Sequence, residues 1–384
     1  MIAYELGVLP RVIVGQGAID RLGEIVAGLG GTSVLVVVDQ AVAATGYSAR
    51  AVAALDGLEV VEHAVPAGEP TVASVDAAAG AARRLPGAVV VGIGGGSALD
   101  TAKQAAVVAA SAEGVSHYLL GANPFAGRRP IVAVPTTSGT GAEVTRTCIV
   151  SDGHGRKMWT WGGEMLPDAV ILDPTATATM PAHVTASTGL DALVHAIEAS
   201  TGQRRNAMSA AAASQAITLV VRHLPTAVTS SEDLAARQGM QEAALLAGAA
   251  IDSCGTGIAH AIGHALGSLH HVPHGVAVAI GLHAALEWNV QGAPEVFEGV
   301  AAAFDRSARE LPAALTELFA ATGFERAVAG LPDAALDADA IAALMAAPEN
   351  APMLQNNCVV PSARERRDLA ALTVETWRRS RGGR

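Results

Sequence analysis

The sequence predicts an α/β domain built on a parallel sheet, followed by an all-helical domain, and three observations carry that prediction. Short Val-rich runs alternate with Ala-rich helical stretches through the first half of the chain. Those runs are continuously apolar, whereas a strand with one wet face would alternate, so the sheet is parallel and covered on both faces. After about Pro181 strand-like runs become rare and a 3.6-residue period takes over.

The elements follow in order. Ser33–Val38 (SVLVVV) reads as a buried strand and is followed at once by Asp39. Glu59–Val65 is the second, broken by Pro66–Pro70 before an Ala-rich helix from about Thr71 to Leu85. Ala88–Ile93 is the third and runs into Gly94-Gly95-Gly96-Ser97, with a helix from Ala98 onward. Ile131–Val134 is the fourth, closed by Pro135-Thr136-Thr137, and Ala169–Leu172 with Asp173-Pro174 ends the region. The expected domains are therefore 1–180, α/β, and 181–384, all helical.

Length and composition agree with two cores: 384 residues exceed one compact core, and 51% are hydrophobic. A formal charge of −11 argues against a nucleic-acid surface, and the basic stretch Arg378–Arg384 is read as a solvated tail. Cys148, Cys254 and Cys358 lie far apart without a CxxC pair, which indicates reduced thiols and a cytoplasmic setting. The start MIAYELGVLP lacks a basic region before an apolar run, and no apolar run spans a bilayer, so no signal peptide or membrane partner is expected.

Two groups of residues carry chemistry. Gly94–Ser97 sits between a strand and a helix, where glycines admit a pyrophosphate and the helix N-terminus offers free N–H groups. The spacing is not GxGxxG. Asp39, at the tip of an early strand, can accept bonds from a ribose hydroxyl pair and would repel a 2′-phosphate, which favours NAD over NADP; a helix-capping role is the alternative. Pro135–Thr145 adds hydroxyls and glycines at another strand end, either for phosphate and ribose or as a capping turn.

The second group is metal-like. Asp191 and His195 lie four apart on one helix face, and His260 and His264 repeat that spacing. His274 follows Pro273 and opens another helical run. One carboxylate and several imidazoles amid apolar neighbours suit a divalent transition metal, and leaving them buried without a ligand would be expensive. Spacing alone does not choose among His260, His264 and His274 as ligands. His270 and His271 are read as loop residues, and His283 as a possible neighbour of the site. His63, His117, His154, His183 and His223 have no partner at helical spacing. Glu198, on the helix of Asp191, is read as supporting a ligand or forming a salt bridge rather than ligating.

Five segments together resemble the iron-containing (group III) alcohol dehydrogenase family over nearly the whole chain. They are GGGSALDTAK (Gly94–Lys103), VPTTSGTGAEVT (Val134–Thr145), Lys157 followed by P-x5-D-P (Pro167–Pro174), TGLDALVHAIEA (Thr188–Ala199), and H-x3-H-x9-H-G (His260, His264, His274, Gly275). The resemblance implies metal ligation by Asp191, His195, His260 and His274, with His264 a site histidine that does not ligate. It assigns Gly94, Gly95, Gly96 and Ser97 to the pyrophosphate and Thr136, Thr137, Thr140 and Lys157 to the cofactor neighbourhood; Asp100, in the first segment, is grouped with them. It implies a Rossmann-like N-terminal domain and a helical C-terminal domain, as in dehydroquinate synthase, with a cleft between them and a homodimer. Trp159, Trp161 and the pair His270-His271 depart from the family pattern and bear on the substrate.

The expected chemistry is NAD-dependent interconversion of a small alcohol and its aldehyde or ketone. A Lewis-acid metal, Fe(II) by resemblance and Zn(II) as runner-up, polarises the oxygen, and His264 relays the proton. Two rivals stand beside it. A sugar-phosphate cyclase of the dehydroquinate synthase type would need a basic cluster near the ligands, and the segments around Asp191 and His260–His274 contain no Lys or Arg. A non-catalytic binding protein on the same fold would not need the full ligand set.

Overall fold

The computed structural model describes residues 9–66, 68–153 and 156–382, and the chain divides at Met180–Pro181 into two compact units. His154 lies outside the described residues.

The N-terminal unit contains β1 (Arg11–Val14), β2 (Ser33–Asp39), β3 (Glu59–Val65), β4 (Ala88–Gly94), β5 (Ile131–Pro135), β6 (Thr147–Ser151), β7 (Lys157–Trp161) and β8 (Ala169–Leu172). Six of them form one parallel sheet in the order β1-β8-β5-β4-β2-β3, while β6 and β7 make a separate antiparallel pair. Its α-helices are α1 (Leu22–Gly28), α2 (Gln40–Ala43), α3 (Tyr47–Ala53), α4 (Val72–Arg84) and α5 (Gly96–Val108). Strand β2 shows why its apolar run is continuous. Leu35 and Val37 pack with Ala78 and Ala82 of α4 and Ala102 and Ala105 of α5, whereas Val34, Val36 and Val38 pack with Leu22, Val26 and Ala51 on the opposite side. Successive residues point to opposite faces, and both faces are dry.

Strand order reverses beside β2. The chain moves outward from β2 to β3, returns to place β4 on the other side of β2, and continues to β5. Ligands of open α/β sheets bind at such a reversal, outside the carboxyl ends of the strands. There the register pairs Val38 with Ile93, so Asp39 and the glycine turn leave the sheet side by side.

Two features of this unit went unread in the sequence. Strand β1 is only RVIV at the sheet edge, and the β6–β7 hairpin has short half-polar strands with little to distinguish them from loop.

The C-terminal unit is helical throughout its described residues: α6 (Ala182–Thr201), α7 (Ala207–Thr229), α8 (Leu234–Cys254), α9 (Ile258–His270), α10 (His274–Gly292) and shorter segments ending in a helix over Ala363–Gly382. A single core runs through these helices, including Leu190, Leu193, Ile197, Ile258, Ile262 and Val276–Ile280. No single helix among the described residues is long and apolar enough to cross a membrane. The expected basic tail is corrected here: Arg378–Gly382 belong to the last helix, and Arg381 donates to the Leu331 carbonyl at 2.7 Å and lies over the Trp377 ring. An arginine stem that covers an aromatic ring is stabilised in place by that packing.

Candidate metal centre and glycine turn

The candidate metal centre is assembled by three helices. Asp191 and His195 share a face of α6, His260 lies in the first turn of α9, and His274 begins α10. Gly275 explains how α10 starts there: a Cβ at this position would collide with the Ser187 carbonyl oxygen of α6. The glycine therefore admits the backbone close enough to bring His274 to Asp191, with Nε2 3.6 Å from Asp191 Oδ1. His195 Nε2 is 3.9 Å from the same oxygen, and the His195 and His260 rings stack with centroids 4.6 Å apart. One ligand atom from each of the four residues falls within 4.8 Å of the other three.

This arrangement fits a metal. Asp191, His195 and His260 are buried, and His274 is partly exposed. His260 Nε2 and His195 Nδ1 have no hydrogen-bond partner among the described residues, which is unfavourable for buried ring nitrogens left without a ligand. Burial, with the neighbouring His195 and His264, holds the His260 pKa well below its ordinary value, so the ring stays neutral and able to ligate. Three imidazoles and one carboxylate are the donor set of a divalent transition metal.

Glu198, two turns beyond Asp191 on α6, braces His260 from behind. Its Oε2 is 2.6 Å from His260 Nδ1, and the carboxylate also accepts the N–H groups of Gly257 and Ala259, each at 2.7 Å. Burial pushes the Glu198 carboxyl up to about 7 against the opposing pull of those backbone bonds.

His264 lies one turn after His260, with ring centroids 6.2 Å from His260 and 5.7 Å from His274. Asn350 Oδ1 stands 3.2 Å from its Nδ1. His270 is the last residue of α9 rather than a loop residue, and His271 closes that helix in the left-handed conformation. His283 packs edge-on against Phe319 and is not part of the cluster.

In the N-terminal unit the glycine turn is a backbone feature. Helix α5 begins after Gly95 without a side-chain cap, which leaves its first N–H groups for a ligand. A Cβ on Gly94 would lie 2.5 Å from the Ala98 Cβ and 3.0 Å from that of Asp39, one on Gly95 3.3 Å from Thr137, and one on Gly96 3.0 Å from Thr140. Asp39, Thr137 and Thr140 thus flank the turn, and Thr136 N–H donates to the Gly94 carbonyl at 2.9 Å. Asp39 also caps α2, accepting from Ala41 N–H at 2.7 Å, so the capping role weighed for it is present in the structure. Lys157, at the start of β7, pairs with Glu69 at 2.7 Å.

Asp100 is buried, with Oδ2 accepting from Ile149 N–H at 2.8 Å and Oδ1 3.8 Å from Lys103 Nζ. Lys103, which the sequence did not single out, is fully buried and donates to the Ala142 and Thr145 carbonyls at 2.7 and 2.9 Å. The pair ties α5 to Ala142, Thr145 and Ile149. An Asp and a Lys three apart, the charged residues of an Ala-rich helix, were its visible signal.

The comparisons with known proteins cover both units. The family model for iron-containing alcohol dehydrogenase matches residues 10–174, and the model for the C-terminal part of that family matches 185–367. The 1-propanol dehydrogenase PduQ of Salmonella typhimurium is 37% identical over 295 residues, 77% of this chain and 70% of that protein. A crystal structure of 1,3-propanediol oxidoreductase superposes with TM-score 0.87 at 30% identity, covering 98% of this chain and 100% of the other. Sulfoacetaldehyde reductase from Bifidobacterium kashiwanohense, solved with NAD+, gives TM-score 0.89 at 26% identity over 97% of this chain and 99% of that one. With its matches running through the glycine turn and the histidine helices alike, the chain belongs to the iron-containing alcohol dehydrogenase family and is an NAD-dependent, metal-containing alcohol dehydrogenase.

Proposed function

We propose that Asp191, His195, His260 and His274 hold the catalytic metal, Fe(II) with Zn(II) as the alternative, and that the enzyme interconverts small alcohols with their aldehydes or ketones. The observation that carries this reading is the convergence of four ligand atoms within 4.8 Å of one another. When bound, the metal polarises an alcohol or carbonyl oxygen as a Lewis acid, and the nicotinamide carries the hydride.

The protein's own residues do the rest. Gly94, Gly95 and Gly96 let the pyrophosphate approach the free N–H groups of α5, and Ser97, Thr136, Thr137 and Thr140 supply hydroxyls around it. Asp39 takes the ribose hydroxyls, and Lys157, paired with Glu69, belongs to the cofactor neighbourhood. His264, anchored through Nδ1 by Asn350, relays the alcohol proton toward solvent. Relatives named for 1-propanol and 1,3-propanediol support a short-chain substrate. A cytoplasmic homodimer completes the reading, checked by sedimentation of the purified protein.

The test is reconstitution of metal-depleted enzyme with Fe(II) or Zn(II) separately, followed by NADH oxidation with a panel of short aldehydes. Turnover is expected only after metal is restored. Full activity in the metal-free protein would overturn the assignment.

A further inference from the structure

We propose that Glu198 is the positioning residue of the metal centre: one carboxylate, shared between the His260 ring and the first turn of α9, sets the tautomer of His260 and aims its Nε2 into the ligand cluster. The inference rests on the ligand assignment above and goes on to say what holds a ligand in place.

Helix α9 begins after Gly257, which has no side chain to cap it. A helix start leaves its first N–H groups without intrahelical partners, and here they are buried. Two distant side chains take them. Glu198 accepts from Gly257 at 2.7 Å, from Ala259 at 2.7 Å and from His260 at 3.4 Å, while Asn357 Oδ1 accepts from Ile258 at 3.2 Å. Both oxygens of Glu198 are therefore acceptors already, and its contact at 2.6 Å makes His260 Nδ1 the donor. With the proton on Nδ1, the lone pair sits on Nε2, the buried nitrogen that has no hydrogen-bond partner among the described residues.

The placement is economical in sequence. Glu198 follows Asp191 by two helical turns, so α6 supplies two ligands and the support of a third. Gly257 favours the approach, since a Cβ there would crowd Asn357 Oδ1 at 3.0 Å and Glu198 Oε1 at 3.1 Å. Asn357 provides the internal comparison. It caps the same turn and is held by Asn289 and Val359, but the structure gives it no hydrogen bond to a ligand side chain.

The experiment uses full-length protein stripped of metal and titrated with Zn(II) against a competing chelator, alongside the melting temperature of the metal-free form and the visible spectrum of the Co(II)-substituted form. Glu198→Gln is expected to raise the Zn(II) dissociation constant about 10- to 100-fold and to change the Co(II) spectrum. Asn357→Ala is expected to lower the metal-free melting temperature while leaving the dissociation constant within about twofold of wild type, as for a site that shares no ligand contact. Wild-type Zn(II) affinity in Glu198→Gln overturns the proposal, and so does an equal loss in both variants, which would reduce Glu198 to a helix cap. Glu198→Asp, which keeps the charge but withdraws it by one methylene, is measured in parallel and decides the case if the Gln variant does not fold: unchanged affinity there also overturns it. A wild-type protein that takes up no Zn(II) or Co(II) fails one step earlier, at the ligand assignment.

Discussion

The glycine turn and the histidine cluster are made of different material. At Gly94–Gly96 the chain removes side chains, so that backbone N–H groups face outward and neighbouring threonines close around them. At Asp191, His195, His260 and His274 the arrangement rests on side chains delivered by three helices, with Gly257 and Gly275 admitting the close approach of Glu198 and of α6. The first region is sensitive to added bulk and the second to a lost donor atom. That difference predicts which substitutions separate cofactor binding from metal binding.

The largest effect is expected for His260→Ala. Bound metal, read by elemental analysis, should fall to near zero, and turnover should drop roughly 10³-fold or more, because a Lewis-acid metal supplies several kcal/mol of transition-state stabilisation. NADH binding should persist. Retention of metal and turnover would break the comparison on its side-chain half.

Next comes Gly94→Ala. A Cβ that meets the Ala98 Cβ at 2.5 Å must displace the turn, at a strain of about 1–3 kcal/mol. NADH affinity, followed by fluorescence titration, should weaken about tenfold or more, with metal content unchanged. Tight NADH binding in this variant would mean that the turn does not cradle the cofactor.

Asp39→Gly sharpens the same half. Preference for NAD over NADP, measured as the ratio of kcat/KM values, should shrink about tenfold, equivalent to about 1.4 kcal/mol. Replacing an N-cap Asp by Gly costs only a few tenths of a kcal/mol in helix stability. An unchanged ratio would leave Asp39 with capping alone.

The smallest effect concerns Asp100. Burial raises its carboxyl from 3.8 to about 6, against the lowering effect of Lys103. The folded state then holds this proton more tightly than the unfolded state, so this group's contribution to stability falls as pH rises from 3.8 to about 6. In Asp100→Asn, the melting temperature should depend on pH less steeply across that window, by a few degrees. An identical pH profile would remove Asp100 from the account of this unit's stability.

Much of this was legible in the sequence because the signals were local. Valine runs of strand length marked β2 and β4, and i, i+4 spacing put Asp191 with His195 and His260 with His264 on common helix faces. Features that rest on partners distant in sequence were not legible. Asn357 caps α9 from 99 residues away, and Lys103 reaches carbonyls 39 and 42 residues on. The bond from Ile149 N–H to Asp100 likewise spans 49 residues.

By itself the sequence determined the two-part architecture, the glycine turn and the inventory of candidate ligating side chains, since backbone periodicity and side-chain chemistry are properties of short segments. Only the tertiary structure decided that His274 meets Asp191 while His283 packs against Phe319, and that Glu198 faces His260 rather than a lysine. Those outcomes depend on how closely two helices approach, which is set here by the absence of a Cβ at Gly257 and Gly275 against backbone and side chains far along the chain.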